Sequence, residues 1–178
     1  MLHAGLSALF LALITPLVAV NAVPTNLTVT ALVGKNNFSS LECWALTPQF
    51  VESTATGTVG ALSYAHIGAT ANTSSYAMFT QESDSGLHNA PAPQYVFLLT
   101  GSGVLSFPVS LDPTDPTLRG NYTVRAGDIL IAVDVAAVSA RGHNSVWQAG
   151  TSVLQMPFVG SGPEYVKLYD GGCKEPHM

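Results

Sequence analysis

Short runs of β-branched and aromatic residues, separated by turn-forming residues, are the feature that most constrains the fold of this chain. Helical periodicity is scarce, and the 16 glycines and 11 prolines break the helical alternatives. We predict strands at residues 27–33, 41–46, 58–66, 76–80, 94–99, 104–109, 122–125, 129–133, 143–147, 152–158 and 165–169. About ten short strands without a repeat favour an all-β fold, a single antiparallel β-barrel or jelly roll.

Two turns between these strands are predicted from glycines. Gly101-Ser102-Gly103 separates two strong β runs, which predicts a hairpin between residues 94–99 and 104–109. Gly127-Asp128 leads into the apolar run at 129–133, which we expect to be buried on both faces.

The N-terminal segment has the pattern of a cleavable signal peptide. Residues 6–20 are almost continuously apolar, and small residues precede a cleavage point after Ala22. The run is too short for a membrane span, which needs about 20 apolar residues. We therefore predict a signal peptide at residues 1–22, one domain at residues 23–178, and a secreted, extracellular protein that no membrane holds after cleavage.

Charge excludes one large class of partner. The net charge is −5, and only six residues are Lys or Arg. No basic run can neutralise a phosphate backbone, so we expect no nucleic-acid partner.

Secretion would expose the chain to disulfide formation and to glycosylation, which bears on its two cysteines and on four of its asparagines. Two cysteines in an oxidising compartment favour a disulfide between Cys43 and Cys173, which would tie the C-terminal tail to an early strand. Four Asn-x-Ser/Thr triplets predict glycan acceptors at Asn26, Asn37, Asn72 and Asn121.

Residues 86–101, GLHNAPAPQYVFLLTG, have the spacing of the first metal-binding motif of cupins. His88, Ala90, Gln94 and Gly101 fall on the motif positions, although Ala90 and Gln94 replace a histidine and an acidic residue. Gly127-Asp128 and Gly142-His143 fit the start and end of the second motif, whose length differs here. The chain thus resembles the cupin superfamily over roughly residues 40–160.

A narrower resemblance is to small secreted fungal cupin-like proteins without an established activity. The residues that carry it are Glu42-Cys43-Trp44, Leu87–Gln94 and Gly142-His143. This resemblance implies a fold more than a function.

Strand alternation predicts which side chains face the interior. Gln94, Val96 and Leu98 share one face of their strand, and Tyr95, Phe97 and Leu99 share the other. With the motif residues, this predicts a ligand pocket formed by His88, Gln94, Val96, Leu98, His143, Ser145 and Trp147. The outward apolar set makes a homodimer a candidate assembly, or it packs beneath a second sheet.

The resemblance implies a metal site, and this chain keeps part of one. His88, Gln94 and His143 are the candidate ligands of a divalent transition metal such as iron, manganese, copper, nickel or zinc. A neutral amide is a poor ligand, so the site is degenerate. His66 is a candidate third imidazole. The alternative is that His88 and His143 form hydrogen bonds inside a pocket without metal, and no cofactor is required.

Three functions follow from these observations. The first is binding of a small apolar or aromatic molecule inside the barrel. The second is an enzyme, either a metal-dependent oxygenase or an isomerase or cyclase with His88 and His143 as acid and base. The third is a secreted interaction protein that uses the barrel as a scaffold.

Overall fold

The computed structural model describes residues 25–174. The predicted signal peptide and the cleavage point after Ala22 lie outside the described residues. The described part is all-β, as predicted, with thirteen strands. These are β1 (Thr28–Lys35), β2 (Phe38–Leu46), β3 (Val51–Glu52), β4 (Leu62–Ser63), β5 (Ser75–Phe79), β6 (Ser83–His88), β7 (Gln94–Thr100), β8 (Ser102–Pro108), β9 (Leu118–Arg125), β10 (Ile129–Ala132), β11 (His143–Trp147), β12 (Thr151–Pro157) and β13 (Tyr165–Asp170).

Two sheets and one small pair of strands account for these elements. The large sheet has seven strands in the order β13-β2-β1-β10-β7-β12-β5, and the small sheet has four in the order β6-β11-β8-β9. β3 pairs with β4. Neither sheet of the described residues closes on itself through hydrogen bonds, so the predicted closed barrel is not what these pairings form.

The main core lies between the large and small sheets. Leu32, Val96 and Leu130 come from the large sheet, and Leu105 and Trp147 come from the small one. Each buried side chain of this size stabilises the fold by about 1.5–3 kcal/mol relative to exposure. Burial of these alternating positions therefore fixes which face of each strand points inward.

The opposite face of the large sheet is also buried. Tyr95 and Ile131 pack there with Trp44, against Tyr64 and Ile67 from the segment that follows β2. This confirms that the run at 129–133 is buried on both faces. Tyr95 is only 2% exposed and donates a hydrogen bond to the carbonyl of Ile67 at 3.0 Å, so it is not available to a dimer partner.

The predicted hairpin across Gly101-Ser102-Gly103 is wrong. β7 pairs with β10 and β12 in the large sheet, whereas β8 pairs with β9 and β11 in the small sheet. Gly101, at φ 73°, lies where the chain passes from one sheet to the other. The β character of both runs is as predicted, but a local pattern carries no information about which strand is the partner.

Three further details differ from the sequence-based expectations. β1 and β10 pair in parallel, which the long chain between them permits, so the large sheet is not purely antiparallel. The run at 58–66 forms only β4, because its polar and glycine residues lie in exposed turns. β6 was not predicted, because its sequence SDSGLH has no alternating apolar pattern.

The predicted disulfide is confirmed. Cys43 in β2 is bonded to Cys173, which follows β13, and the two Cα atoms are 4.8 Å apart. The bridge holds the last described residues against the large sheet.

The four predicted glycan acceptors have different surroundings. Asn37, Asn72 and Asn121 are exposed, whereas Asn26 is half-buried and its Nδ2 donates to the carbonyl of Leu46 at 2.9 Å. Glycosylation itself stays a prediction. No helix of the described residues is long and apolar enough to cross a membrane.

Candidate functional site

A cavity of about 220 Å³ lies between the two sheets. Its walls are mostly apolar, with Leu32, Val96 and Leu130 from the large sheet and Leu105 and Trp147 from the small sheet. Six polar residues complete the lining: Ser85, His88, Gln94, His143, Ser145 and Gln155. We call this space the inter-sheet cavity. Apolar walls with a few polar groups are typical of small-molecule sites.

The structure brings His88 and His143 together at this cavity. They are opposite each other in the antiparallel pair of β6 and β11, and their ring centroids are 4.6 Å apart. His88 is exposed, whereas His143 is only 6% exposed. His88 therefore lies at the mouth of the cavity and His143 lies deeper.

Gly142 permits this close approach of β6 and β11. Its φ is 68°, and a Cβ atom there would collide with the carbonyl oxygen of His88. Only glycine adopts this conformation without strain and leaves that space free. Gly142 thus positions both histidines.

A bulge in β6 directs the ring of His88. Ser85 and Gly86 lie opposite Ser145 alone, since the register shifts between Asn144 and Val146. Gly86 has φ 65°, and its carbonyl lies 2.8 Å from Nδ1 of His88. Bulges of this kind commonly redirect a side chain.

His143 is held by a buried carboxylate. Its Nδ1 lies 2.7 Å from Oδ2 of Asp134, whose residue is completely buried. The hydroxyl of Ser39 donates to the same Oδ2 at 2.6 Å, and Ser139 lies 2.8 Å from Ser39. The amide of Gly142 donates to Ser139 at 3.1 Å. We call Ser39, Ser139, Asp134 and His143 the histidine network.

Asn89 fixes the loop that carries this network. Its Nδ2 donates at 2.9 Å to the carbonyl of Asp134 and at 2.9 Å to that of Ser139. Asn89 directly follows His88. The same segment therefore carries His88 at the mouth of the cavity and holds the loop of Asp134 and Ser139, which lies behind His143. Oδ1 of Asp134 is buried and has no hydrogen-bond partner among the described residues. Burying such a group without a hydrogen-bond donor costs about 1–3 kcal/mol or more.

A second, half-buried network lies beside the disulfide. The hydroxyls of Thr30 and Tyr122 are 2.9 Å apart, Tyr122 donates to the carbonyl of Cys173 at 3.2 Å, and the amide of Cys173 donates to Thr30 at 2.9 Å. Burial raises the pKa of the Tyr122 phenol. We call Thr30, Tyr122 and Cys173 the disulfide network.

Most of the predicted pocket residues line the inter-sheet cavity. His88, Gln94, Val96, His143, Ser145 and Trp147 do so. Leu98 is in the core beside the cavity and is not part of its lining. Ligand binding by these residues stays a prediction.

The described residues do not assemble a full set of metal ligands. His66 is exposed and borders a different groove, so it does not add a third imidazole to the inter-sheet cavity. Within residues 25–174, no three His, Cys, Asp or Glu side chains form a group that could hold a metal ion. Metal binding by His88, Gln94 and His143 also stays a prediction.

Sequence reasoning missed the role of Asp134. A signal was present, because Asp134 is the only charged residue between Asp128 and Arg141 and follows a buried strand. A lone charge in such a stretch needs a partner when it is buried. Ser39 and Ser139 had no comparable signal, since isolated serines are common in turns and strands.

Comparisons with protein-family models, with curated proteins and with solved structures found no match to this chain. The likeness to cupins therefore rests on the sequence motifs alone.

Proposed function

We propose that this protein binds one small apolar or aromatic molecule in the inter-sheet cavity. The observation that carries the proposal is the combination of apolar walls and two adjacent histidines around one space of about 220 Å³. An apolar ligand would gain by leaving water, and the histidines would fix its orientation.

The two tryptophans provide a direct test of binding. Trp147 lines the cavity and stacks on Phe79, whereas Trp44 packs on the other face of the large sheet. Nitrobenzene, an aromatic quencher, should quench the fluorescence of Trp147 in a saturable way. The Trp147→Phe variant, which keeps only Trp44, should show no saturable quenching.

A filled cavity is the matched control. Ala77 lines the cavity, so Ala77→Phe should abolish the saturable quenching. The neighbouring Met78 is 59% exposed, and Met78→Phe should leave the saturable quenching unchanged. Saturable quenching that survives in Ala77→Phe would contradict binding at this site. An absence of quenching in the wild type would favour the scaffold function instead.

The histidine network supports proton transfer as a second candidate function. A histidine oriented by a buried carboxylate is a typical general base, because the carboxylate stabilises the imidazolium that forms. Nε2 of His143 would take a proton from a carbon next to a carbonyl, leaving an enolate and an imidazolium, and would return a proton to the same carbon. Exchange of such a proton with D₂O, followed by NMR and lost in His143→Phe, is the test.

The residues do not fit a tightly held metal ion. Only two imidazoles of the described chain reach the cavity, Gln94 is a neutral amide, and Oδ2 of Asp134 already accepts from His143 and Ser39. Elemental analysis of the purified protein should find far less than one metal ion per chain. Near-stoichiometric metal that is lost in the His88→Ala/His143→Ala variant would revive the metal-dependent oxygenase.

We also propose that the fold is a cupin-like jelly roll and that the protein is secreted. Two sheets packed face to face around a cavity are in keeping with a cupin-like jelly roll. The disulfide and the signal-peptide pattern support secretion, where glycosylation would follow. A homodimer through the predicted outward apolar set would contact Leu99, which is 49% exposed, and would exclude the buried Tyr95.

A further inference from the structure

We infer that the ligand of the inter-sheet cavity is a hydroxylated compound, such as a phenol, whose O–H donates to Nε2 of His143. This inference rests on the proposed binding function and adds the chemical class of the ligand. It follows from the hydrogen bonds that determine which nitrogen of each histidine carries the proton.

In the hydrogen bond between Nδ1 of His88 and the carbonyl of Gly86, only the histidine can be the donor. A backbone carbonyl can accept but cannot donate, so Nδ1 of His88 must carry the hydrogen that bonds to Gly86. Nε2 of the neutral ring is then an acceptor. His88 therefore offers a lone pair at the mouth of the cavity.

The histidine network fixes the direction of each bond around His143. Ser39 uses its single hydrogen on Asp134, so Ser139 must donate to Ser39 while accepting from the amide of Gly142. Oδ2 of Asp134 thus accepts from Ser39 and from Nδ1 of His143. Nε2 of His143 is left as an acceptor, like that of His88.

Two adjacent acceptors select for a donor. A hydroxyl donates its single hydrogen to one of them, Nε2 of His143, whereas an ether, an ester or a carboxylate presents only lone pairs. Among the described residues, no Lys or Arg lines the cavity, and Asp134 lies behind His143, so an anion would also be repelled. The other polar residues of the lining, Ser85, Gln94, Ser145 and Gln155, can each donate or accept, so only the two histidines are restricted to accepting.

The walls of the inter-sheet cavity favour a ligand whose hydroxyl is attached to an aromatic ring. Phe79 and Trp147 stack with centroids 5.4 Å apart, and both line the cavity together with aliphatic side chains. A ring that packs beside them gains from offset stacking as well as from burial.

Phenol, anisole and benzoate separate these contributions, because they share a ring and differ in hydrogen bonding. We would measure their affinities by calorimetry on the folded protein at pH 8. Phenol should bind about five- to tenfold more tightly than anisole, as one net hydrogen bond would give. Benzoate should bind most weakly.

Variants test whether His143 causes the preference. His143→Phe keeps a ring but removes the acceptor, so the ratio of phenol to anisole affinity should fall to about one. His66→Phe, an exposed histidine outside the cavity, should keep the wild-type ratio. His88→Phe, at an exposed position that tolerates replacement more readily, should lower the ratio by a smaller factor.

Each outcome decides a different point. Equal binding of phenol and anisole, or tightest binding of benzoate, in the wild type would overturn the inference while leaving the binding function intact. A ratio that persists in both histidine variants would also overturn it. No binding of any probe would contradict the proposed function itself.

Discussion

The disulfide network and the histidine network are both hydrogen-bonded, but the first is half-buried, the second is buried, and they end differently. In the disulfide network, Tyr122 and Thr30 satisfy each other and both backbone groups of Cys173. In the histidine network, the bonds run through Ser39 and Asp134 to the ring of His143, which lines the inter-sheet cavity. The hydroxyls of the disulfide network are bonded within that network, whereas the histidine network leaves the Nε2 atom of His143 without a hydrogen-bond partner among the described residues.

Removing the disulfide should have the largest effect on stability and little effect on the cavity. The bridge spans 130 residues, and loss of such a bridge costs about 2–5 kcal/mol. Urea unfolding of Cys43→Ser/Cys173→Ser should show this loss, while the folded fraction keeps its affinity for phenol. A loss below about 1 kcal/mol, or a cavity that no longer binds, would contradict the separation of the two networks.

Gly142→Ala should affect both stability and binding. The new Cβ would collide with the carbonyl of His88 and push β6 away from β11. We expect a loss of about 2–4 kcal/mol in urea unfolding and a weaker affinity for phenol by calorimetry.

Gly127→Ala is the control for backbone strain alone. The φ of Gly127 is 94°, but a Cβ atom at this position would meet no atom of the described residues within 4 Å, apart from its own chain neighbours. The substitution should cost about 1 kcal/mol and leave binding unchanged. Equal effects of the two substitutions would show that the contact with His88 does not matter.

Tyr122→Phe should have the smallest effect, about 1 kcal/mol at neutral pH, because it removes one hydroxyl from the disulfide network. Burial raises the pKa of Tyr122 in the folded state above its value near 10 in the unfolded chain. The folded state thus holds this proton more tightly, and the resulting stability is lost as the pH rises above about 10.

The pH dependence of unfolding distinguishes this contribution. Between pH 9 and pH 11, the free energy of unfolding of the wild type should fall more steeply than that of Tyr122→Phe. Parallel curves would mean that Tyr122 does not titrate differently in the folded state.

The sequence predicted strands and inward faces better than it predicted partners. Alternation placed Gln94 and Val96 on the cavity face and Tyr95 on the other, because burial repeats every second residue. It could not show that β7 and β8 belong to different sheets, since pairing depends on distant strands. β6 was missed because its bulge replaces the apolar alternation with Gly86 and polar residues.

The candidate site was predicted in part for the same reason. His88 and His143 stood at motif positions, so they could be assigned to one site from the sequence. Asp134, Ser39 and Ser139 meet only because β2 and the loop after β10 lie side by side in the fold. Contacts of this kind leave no local pattern.

The protonation of the two rings is the most direct test of the account, because the open acceptor on His143 distinguishes the two networks. Long-range ¹H–¹⁵N NMR of histidine-labelled protein at pH 8 should show hydrogen on Nδ1 and a bare Nε2 for both His88 and His143. Addition of phenol should shift the Nε2 resonance of His143. Hydrogen on Nε2 of His143 in the free protein would contradict the account, because the cavity would then present a donor.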